Sequence, residues 1–195
     1  GCTFYAQPTG SGAPLGVYYG AGTRDATFYN LGTIVKRGQF NVEIRVYVED
    51  RGNVRIETGV LSFRKGGLSL SSYVGYPGTT LVFGGAEASD VWQLTNASSI
   101  VTAGSVITQG GLVFFEGHLQ LDDQNVVSVF QVNAGTAYMS PYLHITNLGY
   151  SVNVISSGVL QWEHHDFVLP QLAVSDNGVV QGSADMTVTG AVLFN

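Results

Sequence analysis

Cysteine is almost missing from this chain of 195 residues: Cys2 is the only one, so no disulfide can form within it. Charge is scarce too, at 11% of residues against about 25% in an average soluble protein. Beyond Lys65 there is no lysine or arginine at all. Residues 1–65 hold all eight basic residues and five of the 14 acids, a net +3, while residues 66–195 hold nine acids and a net −9. The overall basic surplus of a general nucleic-acid binder is absent, so nucleic acid is not an expected partner. No apolar run approaches the roughly 18 residues of a membrane helix, which argues against membrane insertion. A persistent 3.6-residue period is lacking, and one short helix, Ala86 to Leu94 with Glu87 and Asp90 near its start, is the only helical expectation.

The machinery of catalysis is equally thin. Gly10-Ser11-Gly12 and Gly20-Ala21-Gly22 do not form a GxGxxG turn, there is no GxSxG elbow, and no spacing suggests a Ser/His/Asp triad. A glycan hydrolase needs two carboxylates across a cleft, and no such pair stands out. The expectation is a protein that is not an enzyme and carries no cofactor and no metal. Without an initiator Met, and with Gly1-Cys2 in front, the chain reads as a fragment of something longer.

What is present is glycine, 26 residues of it, and apolar side chains, 45% of the chain with a mean hydropathy of +0.19. So little charge leaves more apolar surface than one domain is expected to hide, which implies a buried subunit interface. After a Gly- and Pro-rich opening, Phe40, Val42, Ile44, Val46 and Val48 alternate with polar or charged neighbours, the period of a strand with one buried face. Glu49-Asp50-Arg51-Gly52-Asn53 reads as a turn. The alternation resumes at Val54-Arg55-Ile56-Glu57, giving an antiparallel hairpin with Arg45 opposite Glu57. Short β-branched or aromatic runs continue to the end, among them TTLVF, VVSVFQV, YLHIT and SVNVI. Ser175-Asp176-Asn177-Gly178 reads as a second hairpin, because Asn-Gly tolerates positive φ at both central turn positions. No exact repeat is visible.

QWEHHDFVLP, residues 161–170, holds two of the four histidines. Read as one strand from Val159 to Leu169, it sends Trp162, His164 and Asp166 to one face and Glu163, His165 and Phe167 to the other. Its polar groups therefore do not converge into the three or four ligands that zinc takes, and no spacing brings His118 or His144 to them. A histidine at a subunit interface would still make assembly pH-sensitive. Asp122-Asp123 reads as a solvated turn, and Asn96-Ala97-Ser98 fits a glycosylation sequon. Tyr73 and Tyr76, beside a Gly-Pro loop, form either an exposed platform or a lid on the end of the domain.

The run FNVEIRVYVEDRGNVRIETGVLSF, the many short strands after it, the ending MTVTGAVLFN and the lead-in GSGAPLGVYYG resemble the C-terminal head (knob) domain of a viral attachment fibre, most closely the avian adenovirus type. The resemblance is of size, low charge and all-β character. It implies an antiparallel β-sandwich of Greek-key or jelly-roll kind, residues 23–195, after a linker or shaft end at 1–22. It further implies a homotrimer on the virion surface, in the host nucleus during assembly if adenoviral, that binds an immunoglobulin-like receptor or a sialylated glycan. A bacteriophage tail-fibre tip or capsid spike, and a secreted β-sandwich carbohydrate-binding module, are the alternatives. Lys36, Arg37, Arg51, Arg64 and Lys65 are the candidates for a basic receptor-binding ridge, and the loop around Tyr73 and Tyr76 is the next candidate.

Overall fold

The computed structural model describes residues 3–6, 15–17, 26–85, 87–122, 128–163 and 167–195, the first two segments in backbone only. Its strands run parallel, with each pairing to a strand roughly 19 to 30 residues away, and the chain coils as a parallel β-solenoid of about 8 turns. This overturns the expected antiparallel sandwich. Each rung contributes strands to three faces, here called A, B and C. The rung Tyr47–Asp50, Asn53–Ile56, Val60–Phe63 visits C, A and B in turn, and the next rung begins at Gly67–Ser69 back on C. Two long strands, Ser105–Phe115 and Val129–Met139, bend across the corner and belong to B and C together.

Alternation still decides which side chains go inside. On face B, Val42, Leu61, Leu81, Val106, Phe130, Val152 and Leu172 stand in register on successive rungs, all nearly inaccessible. Stacking like on like buries each apolar side chain against its counterparts above and below. That interior runs the length of the coil and takes in much of the chain's apolar content. The accessible surface is 9252 Å², close to the roughly 8,900 Å² expected of a single compact chain of this mass. Both tryptophans use the same register. Trp92 pairs with Gly67 and Trp162 with Gly182, and the absent side chain makes room for the ring. A Cβ on Gly67 would sit 2.7 Å from the Trp92 ring.

The corners explain why the turns misled. Between faces C and A the chain repeats one device, a short polar side chain accepting the N–H two residues on. Asn30 caps Gly32 N, Asp50 caps Gly52 N, Ser69 caps Ser71 N, Thr95 caps Ala97 N and Ser140 caps Tyr142 N. These turns change the chain's direction from one face to the next and do not fold it back on itself. The expected hairpin at Asp50–Asn53 is therefore a corner, and Phe40–Glu49 is two strands, Val42–Ile44 and Tyr47–Asp50. Arg45 pairs with Glu43, not with Glu57. Positive φ falls on Asp176 and Asn177, 52° and 66°, one residue earlier than the expected Asn177-Gly178 pair, and the two join face B to face C, as Ser156 and Ser157 do one rung earlier. The expected helix is a turn over Glu87–Asp90 followed by the strand Val91–Leu94.

Face A alone is broken. Its strands pair continuously up to His144–Leu148, but among the described residues the next two, Phe167–Leu169 and Met186–Val188, pair only with each other. A cavity of about 410 Å³ lies at the break, lined by Ile145, Thr146, Leu148, Phe167, Val168 and Thr189 among others. On faces B and C the same rungs remain paired.

Candidate functional site

The outer surface of face C is the longest chemically coherent feature among the described residues. Register carries one outward position through eight rungs: Tyr29, Glu49, Leu68, Gln93, Phe114, Tyr138, Gln161 and Gln181. At about 4.8 Å per rung that column spans roughly 34 Å. Beside it run Tyr47, Val91, Leu112, Thr136, Val159 and Val179. Within these two columns Glu49 is the one charged residue. Tyr29 is 62% exposed, and Tyr47 and Val91 are also open to solvent.

Local contacts order this surface. Phe114 and Tyr138 meet edge to face with centroids 5.2 Å apart. The Tyr138 hydroxyl hydrogen-bonds the Glu163 carboxylate, and that bond, burial and the charges of Glu163 and Glu116 push its pKa up to about 12. Gln181 Nε2 donates to Gln161 Oε1 at 3.3 Å, the start of an amide ladder. Aromatic rings and amides spaced by one rung offer stacking faces and paired donors and acceptors, suited to a long hydroxylated ligand and not to a point charge.

The candidate residues named from the sequence fall elsewhere. Lys36 points inward on face A and is fully buried, its Nζ donating to the carbonyls of Arg37, Gly38 and Thr58 at 2.9, 2.5 and 2.9 Å. Desolvation by burial lowers its pKa. Tyr73 is also inside, 1% exposed, its hydroxyl donating to Ser69 Oγ at 2.9 Å. Burial first, and the neighbouring Asp50 charge next, push its pKa well up. Neither side chain meets a receptor while the coil is intact. Arg37 and Arg55 both bind Glu57, whose pKa is lowered, first by the Arg37 hydrogen bond. Arg51 lies 3.7 Å from Glu49, and Arg64 donates to Gln109. Lys65 lines a cavity on face C, and Tyr76 is exposed at the far corner of face A. The five basic candidates do not form one ridge, and of the two tyrosines only Tyr76 is exposed.

The histidines give a different picture from the one expected. His118 and His144 are partners in register on face A, with ring centroids 5.2 Å apart, and His118 Nε2 is 2.9 Å from Thr146 Oγ1. His164, His165 and Asp166 lie outside the described residues, as does Asp123. Among the described residues no group of three His, Cys, Asp or Glu side chains is placed to hold a metal. The face C columns were missed because their members are rarely neighbours in sequence. A search for outward residues recurring every 19 to 25 positions would have found them.

Comparison of the chain with known protein families, with curated proteins and with solved structures finds no match.

Proposed function

We propose that this protein is a non-catalytic attachment module that lays an extended glycan along face C. The observation that carries this reading is the outward column from Tyr29 to Gln181, uncharged apart from Glu49 and in register over eight rungs. A polymer with a regular repeat meets a regular array of rings and amides, and many weak contacts add along it. Solenoids present long surfaces of this kind because each rung differs little from the last. The attachment role implied by the fibre-head resemblance is kept here as a proposal, as is placement on a virion, phage or secreted particle. The sandwich head that came with it is not.

Affinity electrophoresis through gels containing neutral polysaccharides, such as galactan, glucan or mannan, tests the reading. Retardation of the wild type by at least one polymer, reduced together by Tyr29→Ala and Gln93→Ala and untouched by Tyr76→Ala, is expected. Equal mobility of all four proteins in every gel would contradict it.

A further inference from the structure

Face C is interrupted at one point, and a free charge stands beside the interruption. Gly66 lies between Tyr47 and Val91: its carbonyl accepts the Val48 N–H at 3.1 Å, and a Cβ built on it would sit 2.8 Å from the Val91 carbonyl. Its missing side chain lets the Val91 backbone come close. Beside it lies a cavity of about 290 Å³ lined by Tyr47, Lys65, Leu68, Asp90, Val91 and Gln93 among others. That is near the lower end of small-ligand sites.

The two charges there are not equivalent. Asp90 is 8% exposed, and its Oδ2 accepts the Glu87 N–H at 3.1 Å, so the carboxylate is turned to its own loop. Lys65 is the basic side chain that, among the described residues, has no carboxylate, amide or carbonyl partner; Arg37, Arg45, Arg51, Arg55 and Arg64 are engaged at the surface and Lys36 inside. An ammonium, an aromatic ring and the apolar side chains of Leu68 and Val91 around one notch match a ring with one apolar face and an anionic substituent. We propose that this notch is an anchoring subsite for a sugar ring bearing a carboxylate, a uronic or a sialic acid. The inference rests on the glycan track of face C and adds what fixes the chain's register on it. Tyr47 takes the ring face, Gln93 pairs with ring hydroxyls, and Lys65 takes the carboxylate by a charge-assisted hydrogen bond.

Equilibrium binding to two matched pairs tests it: oligogalacturonate against its carboxyl-reduced neutral form, and sialyllactose against lactose. The wild type is expected to bind the acidic member of one pair roughly tenfold more tightly than its neutral partner. That preference fades with added salt and disappears in both Lys65→Met and Lys65→Gln, while Tyr47→Ala weakens both members alike. The pair that shows the preference identifies the acid. Equal affinity within both pairs, or a preference that survives loss of Lys65, overturns the subsite, and binding of neutral polymers would then leave the face C track standing. Absence of binding to every glycan, neutral polymers included, overturns both.

Discussion

Phe63 and Phe83 lie one above the other on successive rungs of face B, ring centroids 5.7 Å apart and planes 12° from parallel. Trp92 closes on both rings, at 5.1 and 5.3 Å, and Tyr73 meets both edge-on. Four aromatic rings from three faces thus fill one section of the coil. Like residues stack because the register is parallel, and the stack in turn holds the register.

Phe83→Ala removes the centre of this cluster, and flanking rungs cannot close over it without breaking pairing. A loss of about 3–5 kcal/mol is expected, read as a lower denaturant midpoint. Val168→Ala, at an exposed position on face A, serves as the control and is expected to change stability by under about 0.5 kcal/mol.

Tyr138 supplies a pH test. Its folded pKa of about 12 lies above the ordinary value of 10, so the native state holds the phenol proton more tightly than the unfolded state. The contribution is complete below pH 10 and is lost as pH rises through 12. Wild type and Tyr138→Phe are therefore expected to differ in stability by an amount that is constant below pH 10 and shrinks above it. A difference that stays flat to pH 12 would show that the bond to Glu163 does not protect the phenol.

The break in face A has a kinetic signature. Half of a strand's N–H groups point to each neighbour, so His144–Leu148 and Phe167–Leu169 each present unpaired backbone to the cavity between them. Amide hydrogen exchange is expected to be faster there than in Asn53–Ile56 or Ile100–Thr102, which lie between paired strands on the same face. Uniform protection along face A would mean that the sheet is closed.

Strand content was legible in the sequence, and sheet topology was not. The alternation at Val42–Val48 and Val54–Ile56 reports one buried face, a sign that ordinarily goes with antiparallel pairing, since most parallel sheets are covered on both sides. A solenoid is the exception, because its parallel strands are buried inside and wet outside. The turn at Asp176 and Asn177 shows the same gap: positive φ at Asn177 follows from residue type, but whether a turn reverses the chain or rounds a corner depends on partners far away. The corner caps Asn30, Asp50 and Ser69, spaced 20 and 19 apart, were the visible trace of the repeat. Lys36 could not be placed from sequence alone, because a lysine in a strand is ordinarily an outward residue. Here three backbone carbonyls, from Arg37 and Gly38 at the corner after its strand and from Thr58 at the same corner one rung on, give its ammonium partners inside. The face C track was hidden for the same reason as the fold, since its members become neighbours only through the register.

That register, on which the column, the notch and the interior all depend, is tested most directly by crosslinking near Ser175–Gly178. In a Cys2→Ser background, the pair Gln161→Cys and Gln181→Cys joins parallel neighbours on face C. An antiparallel hairpin would instead place residue 181 opposite Leu172, which here pairs with Val192. Adjacent strands lie about 4.8 Å apart, within the 4.4–6.8 Å that a disulfide spans between Cα atoms. Mild oxidation is expected to close the 161–181 bridge fully and to leave a 172–181 pair reduced. Ready closure of 172–181, with 161–181 remaining as free thiols, would contradict the parallel solenoid and everything built on it.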